Sequence, residues 1–196
     1  MATREAFLAA LRRSTPRETP RPDLSALGVR FPDRARQFAE VLVSVGGAAV
    51  RVADRAAADR ATRELAVYRD AKRIVSLVPG VGEGNVALEA LPDPHALEGL
   101  DVAILPGQLA VAENGAVWVD GADFHHRVVF VVPEHLVLVV DAAHVVNDMH
   151  EAYARLAGRP IRYGLFISGP SKTADIEQAL VIGAQGARSC TVVLVG

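Results

Sequence analysis

Four segments of strand length, 74–78, 102–105, 136–140 and 191–195, are almost continuous apolar runs in which polar residues do not take every second place. A strand with one wet face alternates, so runs of this kind belong to a parallel sheet covered on both sides. Helical patterns stand between them. Phe31, Ala35, Phe38, Leu42 and Val45 recur at spacings of three and four and stop at Gly46 and Gly47, which predicts one amphipathic helix. Asp54 is placed to cap a second helix, with Ala57, Ala61, Leu65 and Tyr68 inward and Arg55, Arg60 and Arg63 outward. The expected class is α/β, with a mostly parallel sheet and helices on both faces.

Further strands are expected near 48–53, 117–119, 128–132 and 163–167, and further helices over 85–91, through Val145, Met149, Tyr153 and Leu156, and over 174–184. Between 101 and 140 several strands follow one another with no helix, so a mixed or antiparallel portion belongs there. The first 30 residues read differently. A short helix carrying Phe7, Leu8 and Leu11 runs into a stretch with Pro16, Pro20 and Pro22, which predicts an extended arm over 1–30 and one α/β domain over 31–196.

Cys190 is the single cysteine in 196 residues. That excludes an intrachain disulfide, a four-thiolate iron–sulfur cluster and a cysteine-based zinc site in this chain. The longest apolar stretch, 128–140, is broken by Pro133, Glu134 and His135, so no membrane span is expected. A cytoplasmic location is the expectation that follows. The 21 basic and 23 acidic residues are unevenly placed, 15 against 9 up to residue 73 and 6 against 14 beyond it. Since 19 of the basic residues are Arg and no binding motif accompanies them, no nucleic-acid partner is expected. An acidic protein partner for the Arg-rich part, and a homo-oligomer, stay open.

Two short segments could carry chemistry. In 167–177, a strand stops at Gly169 and Pro170 and a helix is expected to start, with Ser171, Lys172 and Thr173 beside its free N–H groups. Such a turn makes an anion cradle, or Thr173 simply caps the helix. Glu113, Asn114 and Gly115 form the second segment, which reads as a hairpin turn or as a turn presenting Glu113 to a cleft as nucleophile or base. His135, just after Pro133, is a candidate strand-end site residue. The six histidines lack the spacing of a helical metal pair, so no metal is expected. The glycines 80, 82 and 84 do not fit the dinucleotide pattern and predict a flexible, site-lining loop instead.

The Ser168–Glu177 segment, SGPSKTADIE, followed by Gly183, Gly186 and an apolar last strand, resembles the C-terminal hallmark of the LUD-domain family, of the short LutC type of lactate-utilisation protein. The resemblance takes in the 112–115 turn and the 133–140 strand. It implies a Rossmann-like sheet with an added mixed portion, as in the sugar-phosphate isomerase and CoA-transferase superfamily (NagB/RpiA/CoA-transferase-like). It also implies a part in oxidising L-lactate to pyruvate beside LutA-like and iron–sulfur LutB-like partners. With one cysteine, this chain would then be a subunit without a cofactor of its own that binds a small anion or docks those partners. Many relatives carry Glu-Thr-Gly where Glu113-Asn114-Gly115 stands here. Glu-Asn-Gly resembles the turn that presents the catalytic glutamate of class I CoA-transferases, so the alternative is a CoA-transferase-like or sugar-phosphate-isomerase-like enzyme using Glu113.

Overall fold

The apolar runs do become a parallel sheet. In the computed structural model, which describes residues 3–14, 20, 28–173 and 179–196, five strands line up in the order β1-β11-β6-β3-β2. They are β1 (Ala48–Val52), β2 (Ile74–Ser76), β3 (Val102–Pro106), β6 (His135–Asp141) and β11 (Ser189–Val195), every neighbouring pair parallel. A second sheet, β7-β4-β5-β8, holds β4 (Leu109–Val111), β5 (Ala116–Asp120), β7 (Val145–Val146) and β8 (Gly164–Ile167), with β4–β5 and β5–β8 antiparallel. The mixed portion thus lies where successive strands without helices require it.

Burial explains the layers. One face of the parallel sheet, through Val102, Ile104, Val137 and Val193, packs on α3 (Arg55–Glu64) and α4 (Ala66–Arg69). The other face, through Leu105, Leu136, Leu138 and Val192, packs on α2 (Arg34–Ser44) and on Ala110, Val117 and Val119 of the second sheet. The outer face of the second sheet is closed by α5 (Met149–Leu156), with Trp118, Val146, Ala152 and Leu156 together. Helices therefore cover both faces of the parallel sheet, as expected. Asp33, Asp54 and Asp148 start α2, α3 and α5 by accepting the N–H of Arg36, Ala57 and Glu151 at 2.7–2.9 Å. Carboxylates there satisfy donors that the helix leaves unpaired.

Several expected elements differ. Residues 128–132 are no strand: a 3-10 turn covers Arg127–Phe130, burying Val129 and Phe130 while Val131 and Val132 face solvent. An apolar run before Pro133 mimics a strand, but half of it is packed from a turn. The helix expected over 85–91 shrinks to one turn at Leu88–Ala90, because Asn85 is spent on the β2 edge, accepting from Ile74 N and donating to Lys72 O. Val145 belongs to β7 rather than to the helix, which starts after the Asp148 cap. Of the helix expected over 174–184, residues 174–178 lie outside the described residues. Val181–Ile182 (β10) instead pairs antiparallel with Lys172–Thr173 (β9).

The inner stripe of α3 runs through Ala58 and Thr62, with Ala57, Ala61, Leu65 and Tyr68 only half-buried. Leu65 leaves helical geometry (φ −59°, ψ 130°), which breaks the expected single helix. The first helix, α1 (Arg4–Ser14), buries no side chain, and 15–19 and 21–27 of the expected arm lie outside the described residues.

Candidate functional site

The two predicted motifs do meet. β8 delivers Ser168 beside the β4–β5 turn, where its hydroxyl donates to the Asn114 carbonyl at 2.7 Å. Asn114 Oδ1 accepts the Ala116 N–H at 3.0 Å, closing the turn on itself. Gly115 has φ +66°, and a Cβ there would stand 3.0 Å from the backbone of Leu42 in α2. Only glycine permits both the left-handed backbone and that approach. Gly169 repeats the device at φ +68°, with the Val45 carbonyl 2.9 Å from where its Cβ would be. Lys172 Nζ donates to that same Val45 carbonyl at the end of α2. An ammonium on the last carbonyls of a helix satisfies an unpaired acceptor and the negative end of the dipole.

The cradle is thereby altered. Ser171 N donates to Ala187 O at 2.8 Å and Gly183 N to Ser171 O at 3.0 Å, while Lys172 and Thr173 form a two-residue strand paired with Val181–Ile182. Ser168, Gly169, Pro170 and Ser171 still border a cavity of about 230 Å³, with Leu136, Phe166 and Gly186 among its walls. Close by, at the start of β11, burial pushes the Cys190 thiol up to about 12, against a smaller opposing pull from the Lys172 charge. That thiol stays protonated and unreactive at neutral pH.

Glu113 is exposed, and Oε2 accepts the Met149 N–H at 3.1 Å, so the carboxylate helps to cap α5. The desolvated cleft that a nucleophile or base requires is not what surrounds it. His135 stands apart from both motifs. Successive strand residues face opposite sides, so Leu136 borders the cavity at Ser168–Ser171 while His135 lines another, of about 270 Å³, with Asp70, Asp101 and Glu134. Its Nδ1 lies 2.8 Å from Ser189 Oγ. Three carboxylates around it make that cavity a poor place for an anion. Asp101 is itself held below the usual carboxylate range by the N–H groups of Arg73 and Lys72.

Sequence reasoning missed two features. Asn147, almost fully buried, accepts Phe31 N at 2.9 Å and gives its own N–H to Glu151 at 2.9 Å, with Arg30 paired to Glu151. This ties the residues before α2 to the start of α5. The backbone N–H of Asn147 holds the Glu151 carboxyl below its ordinary value despite partial burial, with Asn147's side chain and Arg30 assisting. The second feature is a cavity of about 360 Å³ at the carboxyl ends of the parallel strands, lined by Arg55, Val78, Gly107, Val139, Asp141 and Val195, among others. The glycine-containing loop follows Val78 and its Pro79 carbonyl accepts from Arg55, but Gly80, Gly82 and Gly84 are not among the lining residues. That loop is pinned rather than free: Gly82 N donates to Asp59 and Glu83 N to the Tyr68 hydroxyl at 2.8 and 2.9 Å. The only early signal for this cavity was the strand–Asp54–helix pattern, which places Arg55 at a strand's carboxyl end.

Among the described residues, no group of three His, Cys, Asp or Glu side chains is gathered to hold a metal, and no helix is long and apolar enough to cross a membrane.

A parallel α/β sheet backed by α3 and α4 on one side and by α2 and a mixed sheet on the other is a Rossmann-like domain with an added mixed portion. The crystal structure of a DUF162 family protein from Deinococcus radiodurans shares this fold with a TM-score of 0.58 at 18% identity, over 86% of this chain and 99% of that one. The model of the LUD domain matches residues 94–195, just over half of the chain, and the chain belongs to that family. It is similar to lactate utilization protein C of Geobacillus kaustophilus (28% identical over 60% of this chain and 48% of that protein) and of Deinococcus radiodurans (31% over 57% and 55%). An uncharacterized protein of Neisseria meningitidis serogroup B is 26% identical across 100% of this chain and 94% of its own length. The chain spans about half the length of the lactate utilization proteins it matches.

Proposed function

We propose that this protein is a lactate-utilisation component of the LutC type, working beside LutA-like and iron–sulfur LutB-like proteins in the oxidation of L-lactate to pyruvate. One observation carries the reading: the LUD match over 94–195 takes in both the 113–115 turn and the 168–173 segment, which the fold joins through Ser168 and Asn114. The relatives named lactate utilization protein C support the process. In this reading the chain is cytoplasmic, carries no iron–sulfur cluster and contributes a small-anion site or a docking surface while the electrons pass through its partners. Glu113 serves as a structural cap rather than as a nucleophile.

Deleting the gene should abolish growth on L-lactate while leaving growth on pyruvate intact, and the tagged chain should bring down iron–sulfur proteins from lactate-grown cells. Normal growth on L-lactate, in a strain with no second lactate-oxidising system, would sink the proposal.

A further inference from the structure

The five parallel strands present their carboxyl ends along one edge, and the chain leaves that edge in two directions. After β1 it passes to α3 and α4 on one face of the sheet. After β3 and β6 it passes to β4 and β7 of the mixed sheet on the other. β11 lies between β1 and β6. The connections therefore part around the end of β11, and in open α/β sheets such a parting leaves a crevice in which ligands bind. Here the crevice is the cavity of about 360 Å³ between Arg55, Val78, Gly107, Val139, Asp141 and Val195, within the size range of small-molecule sites.

Its lining pairs one cation with one anion against an apolar wall. Arg55 Nη1 donates to the Pro79 carbonyl at 2.6 Å, which fixes the guanidinium while spending one of its five N–H donors. Among the described residues Arg55 has no carboxylate partner within 4.0 Å. Asp141 Oδ1 accepts the Ala143 N–H at 2.8 Å, and its second oxygen is left to accept. Val78, Val139 and Val195 supply the apolar side.

We infer that this crevice binds a small 2-hydroxy monocarboxylate, its carboxylate on Arg55 and its hydroxyl donating to Asp141. The planar guanidinium matches a carboxylate in two-point geometry. Asp141 rewards a neutral donor and repels a second negative charge, so phosphate and dicarboxylates are disfavoured. Room along the valines accommodates an apolar tail. The place of the site is read from the crevice, the choice of a 2-hydroxy acid rests on the lactate reading, and the assignment moves the anion site from the 168–173 segment to the opposite edge of the sheet.

The experiment is an amide-resolved NMR titration of the full chain with L-lactate, 2-hydroxybutyrate, propionate and inorganic phosphate. The 2-hydroxy acids should give saturable shifts at Arg55, Gly107, Ala143 and Val195. Arg55→Met, which keeps the length of the stem, should weaken that binding about 10-fold to 100-fold, the loss expected for a charge-assisted hydrogen bond, with an unchanged melting temperature. Asp141→Asn should weaken the hydroxy acids and leave propionate as it was. Shifts centred on Gly169–Thr173, phosphate binding as tightly as L-lactate, an Arg55→Met chain that binds normally, or no saturable shift would each overturn the assignment. Crevice binding in a chain whose deletion spares growth on lactate would overturn the proposed function and leave this site standing.

Discussion

In the 113–115 turn and the 168–173 segment the polar groups are held by the fold, whereas at the carboxyl edge of the parallel sheet a guanidinium and a carboxylate face a cavity. Lys172 is spent on Val45 O, Ser168 on Asn114 O, Glu113 on Met149 N, and Ser171's backbone on Ala187 and Gly183. Arg55 and Asp141 also make one bond each but line a common cavity, whereas neither Lys172 nor Glu113 lines the cavity beside Ser168–Ser171. The difference teaches that the segment carrying the family resemblance can act by holding layers together. A long motif marks what the fold cannot vary, and chemistry is placed where groups face a cavity.

The largest expected effect tests the structural role of the 113–115 turn. Gly115→Ala places a Cβ 3.0 Å from the Leu42 backbone on a left-handed residue, and backbone cannot move aside as a side-chain tip can. The strain and the overpacking together should cost about 3 kcal/mol, read as a lower midpoint in urea at unchanged slope. Arg55→Ala at the carboxyl edge should leave that midpoint in place. Equal losses from the two substitutions would erase the contrast.

Cys190 sharpens it at intermediate size. The thiol's ordinary value of 9.0 is raised to about 12 by burial at the start of β11. The folded state therefore keeps a proton that the unfolded chain releases, so the contribution is fully present below about pH 9 and is lost as pH rises from there towards 12. At pH 10, one unit above the ordinary thiol value, the loss is on the order of 1 kcal/mol. A Cys190→Ala chain should lack this alkaline component of its stability curve, and the native thiol should resist alkylation until the protein unfolds. Rapid alkylation in the native state would show that the start of β11 opens.

How much of this was legible follows from how each signal is encoded. The four apolar runs became β2, β3, β6 and β11 because burial on both faces writes itself into every residue of a strand. β4 was not foreseen: three residues, Leu109–Val111, carry no period long enough to read. The 128–132 run misled because Val129 and Phe130 are buried from a turn, where hydrophobicity reports burial and not backbone. The Glu113 and Ser168–Thr173 segments were found by motif and do come together. Their roles were not readable, since whether a carboxylate or an ammonium is spent depends on Met149 N and Val45 O, 36 and 127 positions away in the chain. The crevice was hidden for the same reason: Arg55 and Asp141 line one cavity only because strand order puts β1 and β6 on either side of β11.

The smallest effect separates the two roles of Glu113 most directly. Its exposed carboxylate meets the first N–H of α5, where a negative charge is favoured by the unpaired donors and by the positive end of the helix. Glu113→Gln keeps the shape and an acceptor but removes the charge, so it should cost about 0.5 kcal/mol at low salt. Raising the salt should shrink the difference, because the interaction sits in solvent and is screened. Ligand titration of the crevice should be unaffected, since Glu113 does not belong to it. A Glu113→Gln chain that kept its stability yet failed to complement the deletion strain would return Glu113 to a direct chemical role and place the functional centre at the 113–115 turn after all.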